Sequence, residues 1–556
     1  MGANVFSLIT CPWIRVRLHD DESRLVSLTE IFSGDVDAVA LQGDSPTQDY
    51  AVLRVLLSIF IRGNALFSDW DLTDRSDLND WRREAWQAAV KNEPDSAVLQ
   101  YLEEYADRFD LFHERTPFMQ VPTLRTKDGR QLPVRRLVPE AEQDYFAMRA
   151  GAAVDSLSHA EAARWLIHSH AFDYSGIKPG VEGDPRVKGG KSYPVGTGWS
   201  GSTGGTTILG ATLRETLVLN SPDDVFLNSE GDLPVWERPQ DGPDERESTV
   251  PTGACDLMTW QTRRVRLHSD GERITGCMLT NGDKIPDAGK NVLDDPMTPY
   301  RFSTNKSTKT EDVFYAQPYS PERTVWRSLE PLVALGGDVP LEKKAKPGKR
   351  PKNLDWLAGA ARRFPQLPTT TPIRLTSMVY GPNAATITET VDAVLDLPVA
   401  VLQPDNDYLR STLIATARTT LDAGILLGRF GGHLLQAAGG DYAFQPQHTE
   451  SFLSKLEQPF RDWLRTVPTS SAAAFDAGVE QWQTLCAETL LQKARTLVNG
   501  AGTKALIGRT LRDGEREIPV SAALAEVRLR RDLAKTLPLA TPFAATPTRE
   551  ETQHAR

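Results

Sequence analysis

Hydrophobic and polar positions follow different patterns in different parts of this chain. Near the start, FSLITCPWIRVRL alternates apolar and polar residues as a pair of strands does, with an interruption at Pro12. The later stretch YAVLRVLLSIFIRG is apolar on nearly all sides and predicts a buried helix that ends at Gly63. The first 110 residues therefore predict short strands beside a core helix.

From about residue 110 to 370 the pattern is irregular, with many prolines and long connections. TTILGATLRETLVLN and MTWQTRRVRLH have the composition of β-rich runs. Helical spacing is clear in three segments: SHAEAARWLIHSHA, SPERTVWRSLEPLVAL and NLDWLAGAARRF. Because long connections within a globular body are usually functional, we expect a binding surface built from loops in this region.

After about residue 380, apolar residues recur every three or four positions over long stretches, which places them on one face of a helix. The four patterns are Leu409, Leu413, Ala417, Leu421 and Ile425; Phe452, Leu456, Phe460 and Trp463; Phe475, Val479, Trp482, Cys486 and Leu490; and Leu524, Val527, Leu533 and Leu537. Four amphipathic helices with connections of moderate length predict a four-helix bundle.

Together these patterns predict an α+β fold: a large, irregular, mixed N-terminal domain followed by a C-terminal four-helix bundle. We assign residues 1–370 to the N-terminal domain, 371–548 to the bundle and 549–556 to a flexible tail. A chain of 556 residues has room for two to four domains, which agrees with this division.

Composition narrows the functional classes. The net charge of −11 argues against a free, non-specific nucleic-acid binder, although an acidic total still permits local basic patches. The four cysteines are widely separated, so neither a disulfide framework nor a local zinc site is expected. With no signal-peptide pattern and no run of ~18 apolar residues, we expect a cytoplasmic protein without a membrane partner.

Candidate chemistry begins at VGTGWSGSTGGT, residues 195–206, which contains the pattern G-x-G-x-x-G. A dinucleotide fingerprint needs a buried strand before it and a helix opening at its third glycine, and the flanking sequence predicts neither. Glycine also lets backbone N–H groups approach a bulky partner, and Arg186, Lys188 and Lys191 upstream suit an anionic one. The alternative left open is a nucleotide-binding enzyme that uses the loop at 196–205.

Catalytic and metal-binding patterns are weak. His168 and His170 lie two positions apart on a predicted helix and so point in different directions, which disfavours a shared metal. The sequence contains no H-E-x-x-H motif and no recognisable Ser/His/Asp arrangement. We therefore predict no catalytic residue, metal or cofactor, and favour a binding subunit over an enzyme.

Several segments, in order along the chain, resemble the CasA family, the large subunit of the type I-E CRISPR surveillance complex Cascade. They are FSLITCPWIRV, TPFMQVP at 116–122, the glycine run up to LRETLVLN, LMTWQTRRVRL at 257–267 and the helical C-terminal third. The resemblance implies a subunit that recognises the protospacer-adjacent motif in double-stranded DNA. It also implies that the subunit initiates unwinding for guide-RNA pairing, forming an R-loop, and helps recruit the helicase-nuclease effector.

The resemblance implies three DNA contacts. Alignment of the glycine run places the family's contact glycine at Gly196, beside Thr197 and Gly198. Its lysine finger maps to Lys284, with Asn281 or Lys290 as alternatives if the alignment has local gaps. Backbone and lysine contacts in the minor groove distinguish mainly A·T from G·C pairs, so a relaxed motif preference is expected.

The third contact is a wedge on a hairpin, which maps to Asn383, Ala384 and Ala385 in YGPNAATITE. Ala384 stands where the family often has glutamine, so the wedge acts by shape or through Asn383. A loop at the guide-RNA end maps to DYFAMRAGAAVDSLSHA, where Phe146 is the candidate to contact bases. The implied partners are the guide-RNA (crRNA) ribonucleoprotein, the other Cascade subunits, double-stranded target DNA and the helicase-nuclease.

Overall fold

The computed structural model describes most of the chain as two compact units. The described residues are 5–139, 154–247, 249–286, 292–316, 318–319, 324–335, 338, 346–364, 367–513 and 516–541. The first unit comprises Met1–Pro321 and Glu342–Leu395, and the second comprises Glu322–Leu341 and Asp396–Arg556. The expected mixed N-terminal region and helical C-terminal region are confirmed. The expected boundary after residue 370 lies within the first unit, and the tail at 549–556 lies outside the described residues.

Seventeen α-helices fall within the described residues. They are α1 (Leu28–Phe32), α2 (Pro46–Phe67), α3 (Arg75–Val90), α4 (Ser96–Glu104), α5 (His159–Phe172), α6 (Trp199–Thr203), α7 (Leu213–Leu219), α8 (Asp223–Leu227), α9 (Ala254–Met258), α10 (Thr324–Val333), α11 (Lys352–Arg363), α12 (Val399–Leu402), α13 (Asp407–Ala437), α14 (Pro446–Thr466), α15 (Ala472–Gly500), α16 (Gly502–Ile507) and α17 (Ala522–Thr536).

Fifteen strands accompany them in the same described ranges. They are β1 (Ile14–Arg17), β2 (Ser23–Val26), β3 (Ala40–Leu41), β4 (Leu132–Pro133), β5 (Lys178–Pro179), β6 (Lys191–Ser192), β7 (Gly205–Ile208), β8 (Arg263–Ser269), β9 (Ile274–Asn281), β10 (Tyr300–Phe302), β11 (Phe314–Ala316), β12 (Thr370–Tyr380), β13 (Ile387–Pro398), β14 (Arg509–Asp513) and β15 (Arg516–Val520). They form three-stranded sheets in the orders β2-β1-β3, β4-β9-β8 and β13-β12-β7, and three two-stranded ladders.

Helix α2 is the central core helix of the first unit. It begins with Ser45 as N-cap, whose side chain accepts a hydrogen bond from the Gln48 N–H, and with Pro46 in the first turn. Its most apolar 18-residue window is long enough to span a bilayer, but 83% of that window is buried inside the protein. The prediction that α2 ends at Gly63 is wrong. Gly63 instead lets α4 approach, since a Cβ there would lie 2.9 Å from Val98 Cα.

Two predictions of β structure are wrong in part. Strand β1 begins only at Ile14, and the residues before Pro12 contribute a single bridge between Ser7 and Asp110. The run TTILGATLRETLVLN is a strand only in its first half, because α7 follows. Thr212 caps that helix by accepting a hydrogen bond from the Glu215 N–H. This T-x-x-E spacing is a capping signal that outweighed the β-like composition.

The predicted helices α5, α10 and α11 and the four long C-terminal helices are confirmed. Indole hydrogen bonds join the long helices: Trp482 Nε1 donates to Thr420 Oγ1 on α13 at 2.9 Å, and Trp463 Nε1 to the Gly478 carbonyl on α15 at 3.0 Å. The predicted apolar face of α17 is shifted. Val527 is 63% exposed, and the helix buries the stripe Ala522, Ala525, Leu529 and Leu533 instead.

Buried arginines are a recurring feature of both units. Five of the largest fully buried side chains are arginines, each paired with an aspartate: Arg54 with Asp295, Arg82 with Asp223, Arg263 with Asp173, Arg264 with Asp283 and Arg410 with Asp338. A buried cation is tolerated only when an acid and enough acceptors surround it. These pairs therefore tie together segments that are distant in sequence.

Asp295→Ala should destabilise the first unit by about 3–5 kcal/mol, because it leaves the Arg54 guanidinium buried without its acid. Urea unfolding followed by tryptophan fluorescence measures the loss. The matched control is Asp80→Ala, which removes a half-exposed partner of Arg83 and should cost less than about 1 kcal/mol. Equal losses in the two variants would contradict this account of the buried pair.

Candidate nucleic-acid interface

The predicted glycine contact lies on residues 193–198 between β6 and α6, here called the glycine loop. Gly196 has φ +97°, a backbone conformation that residues with a Cβ rarely adopt. A Cβ built on Gly196 would have no atom within 4 Å, so the position opens onto unoccupied space. Its carbonyl oxygen accepts a hydrogen bond from Arg263 Nη2 at 2.8 Å. The loop thus presents bare backbone on one side and is held by a buried arginine on the other.

The other two predicted residues of the loop, Thr197 and Gly198, make contacts within the protein. Gly198 is buried, and a Cβ there would collide with the carbonyl oxygens of His170 and Ala171 at the end of α5. Close packing inside the protein therefore explains this glycine without a ligand. Thr197 is half-buried, and its Oγ1 lies 2.8 Å from Ser202 Oγ. Among the three predicted glycine-loop residues, Gly196 is the one with open space around it.

Lys284 lies three residues after the end of β9, and its side chain is exposed while the residues around it are held by hydrogen bonds. The preceding Asp283 is buried and accepts hydrogen bonds from Arg264 Nη2 at 2.7 Å and Arg246 Nε at 2.9 Å. The Lys284 N–H donates to Glu245 Oε1 at 3.1 Å. An exposed lysine side chain on a backbone held by hydrogen bonds is suited to reach into a groove of DNA.

The structure separates Lys284 from Asn281, one of its two alternatives. Asn281 is fully buried, and its Nδ2 lies within hydrogen-bonding distance of the carbonyls of Gly176, Ser192 and Tyr193. It is therefore occupied inside the protein and cannot serve as an exposed finger. Lys290 lies outside the described residues.

The predicted wedge forms the turn that joins β12 to β13, here called the wedge turn (residues 381–386). Asn383 and Ala384 both have positive φ, +57° and +52°. Two successive non-glycine residues in this region are strained, so surrounding contacts must hold them. The Gly381 N–H donates to the Thr386 carbonyl at 2.9 Å, and the Ala384 carbonyl accepts from the Ser175 N–H at 2.7 Å.

Residues 173–176 connect these separate elements, and we call them the linking segment. Arg263 Nη2 lies 3.0 Å from the Asp173 carbonyl and 2.9 Å from the Tyr174 carbonyl, in addition to its bond to Gly196. Ser175 then binds the wedge turn. Arg263 faces Asn281 across the β8–β9 ladder, and Lys284 lies three residues beyond Asn281. The glycine loop, the lysine and the wedge turn therefore converge on one end of this strand pair.

A cluster of charged side chains surrounds Asp173, the first residue of the linking segment. The Asp173 carboxylate receives Arg263 Nε at 2.5 Å, Lys178 Nζ at 2.8 Å and Arg136 Nη2 at 2.9 Å. Burial would raise the pKa of Asp173, but the three cations outweigh it and lower the pKa below its usual range. Burial lowers the pKa of Lys178 from 10.5 to about 7, which the attraction of Asp173 offsets only in part. Three cationic side chains thus share the single carboxylate of Asp173.

Other predicted groups are used internally or lie elsewhere. His168 Nε2 is 3.0 Å from Thr47 Oγ1 and His170 Nε2 is 3.0 Å from the Met119 carbonyl, and burial lowers both pKa values to about 3. Across the described ranges, no group of three His, Cys, Asp or Glu residues is placed to hold a metal ion. Phe146 lies outside the described residues, within 140–153.

Sequence reasoning missed Asp173 and Arg263, which hold the candidate interface together, and it named Asn281 only as an alternative finger and not for its internal contacts. A weak signal existed in the consecutive arginines of TRRVRL, because a strand that is buried on one face cannot expose both of them. Apart from the Asp173 and Asp283 carboxylates, the acceptors of these arginines are backbone carbonyls, which leave no trace in the identity of a side chain. The convergence of the three elements could not be read from the sequence.

Comparison with known proteins identifies the family. The family model described as CRISPR-associated protein Cse1 matches residues 7–496. The crystal structure of Thermobifida fusca Cse1 is 34% identical, covers 97% of this chain and 99% of that one, and has a TM-score of 0.82. A Thermus thermophilus protein described as CasA/Cse1 is 26% identical over 343 residues, which span 60% of this chain and 61% of that relative.

A third comparison concerns the fold alone. A chain in a structure titled "CRISPR RNA-guided surveillance complex" is 19% identical, with a TM-score of 0.70 and coverage of 95% of this chain and 99% of that one. The paired name CasA/Cse1 of the Thermus relative links the family model to the family that the motifs resemble, so that expectation is confirmed. Because the family model matches well over half of this chain, the chain belongs to the CRISPR-associated Cse1 family, also called CasA.

Proposed function

We propose that this chain is the large subunit of an RNA-guided CRISPR surveillance complex of the Cascade type. In that role it recognises the protospacer-adjacent motif in double-stranded DNA and initiates the unwinding that lets guide RNA form an R-loop. It also helps to recruit the helicase-nuclease. Its work is binding within a cytoplasmic ribonucleoprotein, with guide RNA and the other subunits as partners. The presence of a chain of this fold in a surveillance complex supports the proposal.

The observation that carries the proposal is the convergence of Gly196, Lys284 and the wedge turn on one end of the β8–β9 pair. These three elements are each mapped from the family resemblance and are far apart in sequence. Bare backbone and a flexible lysine suit the minor groove, where every base pair offers acceptors but few distinguishing groups. A neighbouring turn held in a strained conformation suits insertion beside a base pair.

The alternative, a nucleotide-binding enzyme that uses residues 196–205, finds little support. Strand β6 before the loop has two residues and pairs antiparallel with β5. Helix α6 after the loop has five residues. A dinucleotide site requires a parallel βαβ unit with a full helix aimed at the pyrophosphate, so the local fold disfavours this function.

Gly196→Leu should reduce motif-dependent DNA binding by the assembled complex at least about tenfold, because the side chain would fill the space through which DNA approaches. Gly271→Leu is the matched control: Gly271 has φ +112°, open space around it, and lies on the turn at the opposite end of β8–β9. Both variants carry similar backbone strain, which thermal melting can verify. Equal binding by the two variants would remove Gly196 from the interface.

Lys284→Met should weaken binding to motif-containing duplex roughly tenfold and weaken binding to motif-free duplex less, because a charged hydrogen bond inside the groove is lost. The slope of log affinity against log salt should become shallower by about one. Lys91→Met removes another exposed lysine and serves as the control. The finger assignment fails if both lysine variants lose affinity equally, or if motif-containing and motif-free duplexes are affected alike.

NAD⁺ or ATP should leave the melting temperature of the isolated chain unchanged, since a ligand stabilises a protein only by binding its folded state. Differential scanning fluorimetry over a millimolar titration measures this. A saturable rise in melting temperature that disappears in Gly196→Leu would favour the nucleotide-binding alternative.

A further inference from the structure

Two large apolar side chains are exposed on opposed residues, of which the second, Tyr193, is the first residue of the glycine loop. Ile177 is 58% exposed and Tyr193 is 52% exposed. Single exposed apolar residues are common on protein surfaces and need no explanation. These two form a pair, because the β5–β6 ladder joins Lys178 to Ser192 and Pro179 to Lys191, so its register sets Ile177 opposite Tyr193.

The alternation of the ladder explains their exposure. Opposed residues in antiparallel strands project to the same face, and successive residues to opposite faces. Lys178 and Ser192 are buried, with Lys178 bound to Asp173. The pairs on either side therefore face outward, which gives an apolar Ile177–Tyr193 pair with exposed Lys191 beside it.

Backbone contacts hold this pair between two elements of the proposed interface. The carbonyls of Gly176 and Tyr193 lie within 3.2 Å and 2.9 Å of the same nitrogen, Asn281 Nδ2. Gly196 follows Tyr193 by three residues, and Ser175, which binds Ala384, precedes Ile177 by two. The pair is thus bordered by the rest of the glycine loop, residues 194–198, on one side and by the wedge turn on the other.

We propose that Ile177 and Tyr193 form an apolar wedge that contacts the base pair next to the recognised motif and stabilises its opened form. This inference rests on the proposed function. Ala384 at the tip of the wedge turn has a single methyl group and can cover little of an exposed base. Proteins that open the minor groove insert bulky apolar side chains between base steps, and an aromatic ring stacks on any base.

Charge favours DNA over a protein as the occupant of this surface. Exposed Lys188 and Lys191 lie at the tip of the same ladder, where Gly189 and Gly190 form the turn. Lys284 lies three residues beyond Asn281, whose amide nitrogen contacts the carbonyls of Gly176 and Tyr193. An apolar pair among lysines matches a nucleic-acid partner, whose bases stack on the apolar side chains and whose phosphates pair with the cations.

The test uses the full chain assembled with its guide-RNA complex and two DNA duplexes that carry the motif. One duplex is fully paired, and the other has mismatches at the first target positions, so that it is already open. A 2-aminopurine base at the first target position reports opening by fluorescence. Tyr193→Ala should reduce opening of the paired duplex by about tenfold, the scale of one lost base–aromatic stack, whereas the mismatched duplex is open without the protein and should keep its fluorescence within about twofold.

Further variants make the result specific. Tyr193→Phe should behave as wild type, because the ring and not the hydroxyl group is used, and Ile177→Ala should give a smaller loss of the same kind. Tyr442→Ala, at a tyrosine 43% exposed in the second unit, is the control and should change nothing.

Three outcomes would overturn the wedge: no loss of opening with Tyr193→Ala, an equal change of fluorescence on both duplexes, or failure of that variant to join the complex, which would make the pair a subunit contact. The proposed function fails separately if the wild-type complex does not prefer motif-containing DNA.

Discussion

The geometry of the candidate interface depends on the burial of one cation. A guanidinium with no access to water must be neutralised and must find acceptors for its donors. Arg263 is neutralised by the Asp173 carboxylate, and its donors bind carbonyls from the linking segment and the glycine loop. Those segments are distant in sequence, so the solvation of one side chain requires them to meet. Asn281, directly across the ladder, binds the same two stretches of chain through its amide.

The long helices could be predicted because helical periodicity is a local property of the sequence. The buried face of a helix is harder to predict. In α17 the stripe that contains Val527 and the stripe that contains Ala525 are both apolar, and alanine contributes a weak hydrophobic signal. Helix α7 was missed because its leucines and valine resemble a strand, although the Thr212 cap could have been recognised. Gly63 was taken for a helix end because a glycine required for close packing looks the same in a sequence.

The parts of the candidate interface could be proposed from the sequence, but the contacts that bring them together could not. Gly196 and Gly198 are indistinguishable as letters, and only the backbone angle and the neighbouring carbonyls separate an open position from a packed one. Lys284 and Ala384 were placed by resemblance to a family, whereas the contacts that bring them together run through main-chain carbonyls. Long-range contacts of this kind depend on the whole fold, so no local pattern encodes them.

The shared guanidinium has a consequence for the thermodynamics of recognition. If either the glycine loop or the linking segment moved away, a buried donor of Arg263 would be left unsatisfied, at a cost of about 1–3 kcal/mol. The two therefore behave as one preorganised body before any ligand arrives. A surface held in this way would lose little conformational entropy on binding a ligand, so more of the contact energy would be available for affinity. In this chain the rigidity of a surface made from loops comes from a polar core and not from regular secondary structure.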